Sequence, residues 1–586
     1  MKILGISGLE NSVPFKREAW PGLDEHEYRM AQGMDSAAAL VVDGVLVAAA
    51  AEERFDRQKH SARFPREAIR FCLAEAGLSI YDIDEIAHGF DYEPYRELYL
   101  HDSFSKARYE QVYSHEAILA QVQRDLPGCP LEKIHFVGHH LAHAASAALT
   151  SGWDECLVVV NDAMGEVESI SVYHFREGKL QRLRTISAND SIGVLYSLVT
   201  LHLGFEFNSD EYKIMGLAPY GDPTRFRPFF EKHLELRDDG TIRIPILRLN
   251  HTRDECEYYS ATRAYLEEHL IPHRQRNQSV NPNHEDVAAA LQECLERCVM
   301  HVCEHFGEQT GLRRIALAGG VALNCTANGK LLRSGLFDEV YIQPVAGDDG
   351  SALGAALYRA SLTDLICNRR MPTPLLGPGC TQIEIDAALA RHAGKIRVQR
   401  FDSLRATCEC AAHLIAEGKV LAWHRGRMEY GPRALGNRSI LADPRRHQMR
   451  DRINAMVKKR ESFRPFAPAC SIEDAHRWFE ISPGIHLPYM VSIVYVRPDM
   501  RAQLPAITHV NGTARLQTVS HADNPDFHEL LLAVGRVTGG QMVLNTSFNV
   551  KGQPIVNTPD EAIETFLGTG IDCLFLENFY VTRATA

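Results

Sequence analysis

Apolar positions along the chain switch between strand-like and helix-like spacing. Residues 2–7 form a short apolar run of strand length. After Asp35 come two more, Ser36-Ala37-Ala38-Ala39-Leu40-Val41-Val42 and Val45-Leu46-Val47-Ala48, joined by Asp43-Gly44. Two apolar runs meeting at Asp-Gly predict a β-hairpin. The plan returns later. Cys156-Leu157-Val158-Val159-Val160 reads as a strand, followed by Asp162, Gly165 and a second hairpin over 169–175 and 180–186. The order strand, acidic turn, hairpin therefore occurs twice. Helix and strand patterns alternate onward to about residue 361. Turn formers then cluster in Pro372-Thr373-Pro374 and Gly377-Pro378-Gly379. We read 362–382 as a linker between an N-terminal domain, 1–361, and a C-terminal α/β domain, 383–586.

Length and charge narrow the function classes. A chain of 586 residues exceeds one ordinary core and implies at least two domains. The formal charge of −12 argues against a nucleic acid partner. That acidity is uneven. Between Arg425 and Arg464 there are 12 Lys/Arg against 4 Asp/Glu, a basic patch suited to a small phosphorylated molecule. No secretory pattern and no apolar run of about 18 residues is present, so a cytoplasmic protein without a membrane partner is expected. The 14 cysteines form no Cys-x-x-Cys pair and read as reduced, buried thiols rather than structural zinc ligands.

Three groups of residues carry candidate chemistry. In His139-His140-Leu141-Ala142-His143, alanine-rich flanks predict a helix, and His139 and His143 then share one face. Asp162 ends an apolar strand, and Asp348 precedes a predicted helix beginning near Ala352. Each is either a metal ligand or a helix cap. Together the two imidazoles and two carboxylates suit Fe²⁺, Mn²⁺ or Zn²⁺. An apolar strand runs into Gly319-Gly320, with Asn324 beyond, where glycine admits close approach of a nucleotide phosphate. In the C-terminal part, Arg433 lies in Gly431-Pro432-Arg433 and Arg464 in Arg464-Pro465-Phe466. Guanidinium groups on stiff backbone bind phosphate oxygens in a fork. Lys458 adds a point charge, and Asn545 and Ser547 are placed to orient a carbonyl or amide.

These strings resemble the nodulation-type O-carbamoyltransferases. The resemblance runs through Glu52-Glu53-Arg54-Phe55 with Lys59-His60, the His139–His143 string, 211–218, 319–324, 431–439, 464–468 and 545–549, and so spans nearly the whole chain. It implies an N-terminal actin-like (ASKHA) domain, whose two lobes match the repeat above, and a C-terminal YrdC-like domain. In that pattern His139, His143, Asp162 and Asp348 hold a divalent metal, iron before manganese or zinc. Gly319, Gly320 and Asn324 bind nucleotide. Arg433, Lys458, Arg464, Arg515, Asn545 and Ser547 bind carbamoyl phosphate and ATP with its Mg²⁺. The implied reaction forms carbamoyl-adenylate and transfers the carbamoyl group to a hydroxyl of a small natural product, with Arg433, Lys458, Arg464 and Lys59 as catalytic residues. A homodimer is the expected assembly. The family carries His directly before the Asp of the first hairpin, whereas this chain has Met34 before Asp35. The acceptor's proton is then left to His26, Lys59, His60 or water. A tRNA threonylcarbamoyl transferase-like enzyme and an actin-like-fold small-molecule kinase are the alternative readings.

Overall fold

The computed structural model describes residues 1–363, 371, 373–458, 461 and 463–584, and at 458 the backbone only. The chain is a mixed α/β protein that divides into two units: residues 1–53 with 60–371, and residues 54–59 with 372–586.

The first unit contains two five-stranded sheets of identical order. Strand β1 (Lys2–Ser7) is followed by the hairpin β2 (Ala37–Val42) and β3 (Val45–Ala51), then by β4 (Glu85–His88) and β5 (Ile134–Phe136). The order across the sheet is β3-β2-β1-β4-β5, with the hairpin antiparallel to β1 and the last two strands parallel to it. Helix α1 (His139–Ser151) comes next. Then β6 (Glu155–Asn161), the hairpin β7 (Glu168–Arg176) and β8 (Lys179–Ser187), β9 (Arg314–Ala318) and β10 (Glu339–Ile342) form the second sheet, ordered β10-β9-β6-β7-β8. Helix α2 (Asp349–Ser361) closes the unit. Both hairpins turn on an acidic residue and glycine with positive φ, Asp43-Gly44 and Glu177-Gly178. That backbone twist matches the strands on either side.

The helices are exchanged between the sheets. Helix α1 follows the first sheet but packs on β6, β7, β9 and β10, whereas α2 follows the second and packs on β1, β2 and β4. The two helices also pack on each other. Small residues allow this. A Cβ at Gly354 would lie 1.7 Å from the Ala142 carbonyl oxygen, and one at Gly5 would lie 1.9 Å from that of Ala352. Because α2 covers one face of β2 and the helix Arg66–Glu75 the other, β2 is apolar throughout rather than alternating.

The second unit is built on one eight-stranded sheet. Its strands in chain order are β11 (Ile396–Arg400), β12 (Leu421–His424), β13 (Arg438–Ala442), β14 (Ala467–Ser471), β15 (Gln517–Val519), β16 (Met542–Ser547), β17 (Cys573–Leu576) and β18 (Phe579–Arg583). They are ordered β11-β18-β17-β12-β13-β16-β14-β15. Helices α3 (Leu404–Ala416) and α4 (Pro525–Thr538) pack against each other and share one apolar cluster with the sheet, centred on Trp423, Phe527 and Phe575. A second cluster includes Phe479, Phe548 and Phe566.

The division differs from the sequence expectation at two places. Residues 54–59 belong to the second unit, although their neighbours on both sides belong to the first. The span read as a linker is also not a free tether. Residues 364–370 and 372 lie outside the described residues, but from 373 onward the backbone pairs within the second unit. Gly377 N–H donates to the Met428 carbonyl, Met428 N–H to Pro378 and Tyr430 N–H to Pro374. The prolines and glycines shape this pairing, and Thr381 then caps the helix Gln382–Arg391. Among the described residues, no helix is long and apolar enough to cross a membrane.

Candidate functional site

The helix exchange gathers four side chains in the first unit. His139 opens α1 and His143 lies one turn on. Asp162 directly follows β6, and Asp348 directly precedes α2. One ligand atom from each of the four lies within 4.8 Å of the others. The Nε2 atoms of His139 and His143 are 3.1 Å apart, and His139 Nε2 is 3.4 Å from Asp162 Oδ2 and 3.5 Å from Asp348 Oδ1. Ligands about 2.1 Å from a shared ion at 90–110° stand roughly 3.0–3.4 Å apart. Three of these separations are close to that range and His143 Nε2 to Asp348 Oδ1 is 3.9 Å, so a divalent cation would draw Asp348 inward by about a few tenths of an ångström.

The surrounding groups fix the donor atoms. His139 Nδ1 donates to the Gly89 carbonyl at 3.1 Å, which leaves Nε2 as the lone-pair nitrogen. The ring stacks on Phe90, with centroids 4.1 Å apart. Asp162 Oδ1 accepts the Gly320 N–H at 3.0 Å, freeing Oδ2 to face His139. Gly319 makes this approach feasible. Its φ is +87°, and a Cβ there would lie 2.4 Å from the Asn161 carbonyl oxygen. Burial pulls the His139 imidazolium down, but Asp348 and Asp162 outweigh it and leave its pKa well above the ordinary value, so a cation binding at Nε2 would displace a proton from it. Burial raises Asp162 and Asp348, and the histidines opposite outweigh that and hold both below the ordinary carboxylate range.

Glu166, which the sequence reading missed, supports the cage from behind. It is 5% exposed, and its Oε1 accepts the N–H groups of His139 and Asp91, both at 2.8 Å. Burial pushes its carboxyl up to about 7. A lone Glu after a Gly turn carries no sequence signal that distinguishes it. Asn324 has a structural use. Its Oδ1 caps the helix Cys325–Arg333 through the Ala327 N–H, and its amide pairs with Gln292.

In the second unit, the loop 425–437 connects β12 to β13 and is held from within. Glu429 is 2% exposed. Its Oε1 accepts the N–H groups of Leu435, Asn437 and Arg438, at 2.7, 2.8 and 3.2 Å. Arg438 is fully buried and donates to the carbonyls of Arg425, Gly426, Asn437 and Pro378. Burial lowers its pKa. Arg425 pairs with Asp526, and Arg427 reaches the Gly377 carbonyl. Arg433 stands half-buried at the tip.

Of the expected C-terminal residues, Asn545 reaches this loop. Asn545 Nδ2 donates to the Ala434 carbonyl at 3.2 Å and to Gln517 Oε1 at 3.1 Å, while Gln517 Nε2 donates to the Leu435 carbonyl at 2.8 Å. Asn545 Oδ1 is buried without a partner among the described residues. Asn545 sits opposite Leu441 on one side and Ala467 on the other, which brings the strand following Arg464 alongside. Ser547 faces Ser439, and Arg515 is two residues before Gln517. Arg464 lies 3.7 Å from Glu461. Lys59 ends the 54–59 segment of this unit, within which Arg54 donates to the Gly431 carbonyl at 2.8 Å. The Lys458 side chain lies outside the described residues. Half-buried guanidinium groups, a buried amide and a hydroxyl on locked backbone can grip a phosphate and orient an amide beside it.

Comparison with known proteins agrees with this two-part layout. A family model described as carbamoyltransferase N-terminus matches residues 31–357, and one described as carbamoyltransferase C-terminus matches residues 412–583. Nodulation protein NolNO of Sinorhizobium fredii is 41% identical over 601 aligned positions, covering 100% of this chain and 83% of that protein. Nodulation protein NolO of Bradyrhizobium diazoefficiens is 43% identical, covering 77% of this chain and 79% of that protein. A 3'-hydroxymethylcephem-O-carbamoyltransferase of Streptomyces clavuligerus is 30% identical over 61% of each chain. With both family models matched in order and a relative aligned over the whole of this chain, the chain belongs to the carbamoyltransferase family and is an enzyme of that type.

Proposed function

We propose that this enzyme is an ATP-dependent O-carbamoyltransferase acting on a hydroxyl of a small natural product. The observation that carries the reading is that the two units hold two chemically different sites. One is a compact histidine–aspartate cage and the other an arginine loop, so activation and transfer are separate steps. The repeated five-strand order supports an actin-like first unit, and the second unit is read as YrdC-like. The acidic net charge fits a small-molecule acceptor rather than nucleic acid, and we read the enzyme as cytoplasmic.

In the first half-reaction, water cleaves carbamoyl phosphate to carbamate and phosphate. A carbamate oxygen then bonds to the α-phosphorus of ATP, and pyrophosphate leaves. Arg433, Arg464, Arg515 and Lys458 offset the charge gathering on the phosphates, the largest kind of catalytic contribution. Asn545 and Ser547 hold the amide end. The product is carbamoyl-adenylate. In the second half-reaction, the acceptor oxygen bonds to the carbamoyl carbon, and the bond to AMP breaks. His139, His143, Asp162 and Asp348 would hold a divalent cation, Fe²⁺ before Mn²⁺ or Zn²⁺, which supplies Lewis acidity toward phosphate oxygens. The glycines at 319 and 320 let backbone approach the nucleotide.

The adenylate-forming arm of the test needs no acceptor. Pyrophosphate should appear from ATP only when carbamoyl phosphate is present. Arg433→Ala should lower that rate by about 100-fold or more, a loss of the size seen when a charge-stabilising donor is removed. The same variant should still consume synthetic carbamoyl-adenylate. Release of ADP in place of AMP and pyrophosphate, or equal loss on both substrates, removes the reading.

A further inference from the structure

We infer that His60, held by Asp35, takes the proton from the acceptor hydroxyl. This rests on the proposed transfer to a hydroxyl and names the residue that enables it.

Register places the pair at the cage end of the first sheet. The end of β1, Ser7, lies opposite Ala37 at the start of β2, and Ala37 lies opposite Ala51 at the end of β3. Asp35 and His60 are therefore just beyond the same sheet edge. The end of β4 shares that edge, since His88 pairs with Ile6 and Gly89 N–H donates to Ile6. Gly89 is also the residue whose carbonyl accepts His139 Nδ1. The approach to Asp35 is tied to the other sheet, because Gln32 donates to the carbonyls of Met164 and Gly165, just after Asp162.

The local geometry is that of an oriented base. His60 Nδ1 and Asp35 Oδ1 are 2.9 Å apart, so the carboxylate holds the ring with its proton on Nδ1. Nε2 is then the basic nitrogen, and it is buried without a hydrogen-bond partner among the described residues. Two buried hydroxyls near this edge, Ser7 Oγ and Ser36 Oγ, are equally without partners. Unmet polar groups in one place point to a ligand that completes them. Both residues also hold positive φ, +54° at Asp35 and +58° at His60. Such backbone costs on the order of 1 kcal/mol per residue and persists where the surroundings impose it. Ser36 N–H donates to the Ser61 carbonyl and His60 N–H to Glu53 Oε2, both at 2.9 Å, and these bonds impose it here. Of the other candidates, His26 faces Asp24 at 3.8 Å, and Lys59 carries an ammonium that must first lose a proton before it can act as a base.

As the acceptor oxygen bonds to the carbamoyl carbon, its O–H bond breaks and the proton passes to His60 Nε2. The carbamoyl C–O bond to AMP breaks in the same step, and AMP leaves as the anion. A general base of this kind contributes about 10²–10⁴-fold.

The experiment compares His60→Gln and Asp35→Asn with the unaltered enzyme, given carbamoyl phosphate and ATP. Two nucleophiles are supplied in turn: hydroxylamine, which attacks without a base, and a hydroxyl panel of 3'-hydroxymethylcephem and simple oligosaccharides. His60→Gln should lose about 100-fold or more in hydroxyl carbamoylation. It should keep pyrophosphate formation, bound metal and hydroxylamine carbamoylation within about threefold. Asp35→Asn should follow with a smaller loss. Three results overturn the inference: unchanged hydroxyl carbamoylation in His60→Gln, equal loss with hydroxylamine, or release of a second bound cation, since Glu53 completes a cluster with Asp35 and His60. If the unaltered enzyme forms no pyrophosphate from ATP and carbamoyl phosphate, with or without a nucleophile, the proposed function fails instead.

Discussion

The two candidate sites solve opposite problems with the same residue economy. In the first unit, short side chains at helix and strand ends converge from both sheets, and His139 and His143 are entirely shielded from water. Such a cage suits a compact cation whose ligands must meet within a few ångströms. In the second unit, long side chains extend from a loop, and it is the loop's backbone that is fixed. That suits a larger anion with several oxygens to engage. The cage is thus rigid through its elements, and the loop through one buried carboxylate, Glu429.

This contrast can be broken from either side. The largest effect is expected from His143→Ala. Removing a ligand should weaken metal binding by more than about 100-fold, beyond the loss seen when only a ligand's supporting partner is removed. Metal analysis reads this directly, and pyrophosphate formation in the second unit should continue. Loss of both would mean that the sites are not separate devices. Next is Glu429→Ala, which leaves three backbone N–H groups without their acceptor. At about 1 kcal/mol or more each, the second unit should lose roughly 3 kcal/mol of stability and most pyrophosphate formation. Glu429→Gln keeps an acceptor oxygen and should restore the fold to within about 1 kcal/mol. Failure of Gln to rescue would show that the charge, rather than the hydrogen bonds, holds the loop.

A third effect concerns acidity in the first unit and appears only below pH 6.5. His88, at the end of β4, accepts the Phe90 N–H on Nδ1 and donates to the Gly8 carbonyl from Nε2. Burial lowers its pKa from 6.5 to about 4. The folded state therefore holds the neutral ring. Its contribution is complete above pH 6.5 and is lost as pH falls from 6.5 toward 4, about 3 kcal/mol in all. Denaturant unfolding between those pH values should show a shallower slope in His88→Gln. An unchanged slope would move the acid sensitivity elsewhere.

The sequence made the two sites unequally legible. His139 and His143 announce themselves through spacing on an alanine-rich helix. Asp162 and Asp348 are far apart in the chain, and only their positions at a strand end and a helix start single them out. The repeated strand–hairpin order was legible because Asp-Gly and apolar runs are local signals. Glu166 and Glu429 were not, since each acts on backbone N–H groups that only the folded loop brings to it. The charge count between 425 and 464 also misleads. Arg425, Arg438, Arg445 and Arg452 are committed to carboxylates and carbonyls, so the basic patch is less available than its composition implies. The 362–382 span shows a related limit: proline and glycine mark irregular backbone, whether it hangs free or, as at 374–378, pairs with 428–430.

The exchanged helices have a consequence for how the protein is made. The first sheet begins with residues 2–7, yet the helix that seals its inner face, residues 349–361, is made about 300 residues after its hairpin. At about 5–20 residues per second, that greasy surface waits for tens of seconds with nothing native to cover it. Biogenesis of this enzyme should therefore lean on a holdase chaperone, and a stalled fragment ending before residue 349 should aggregate rather than persist as a half-built domain.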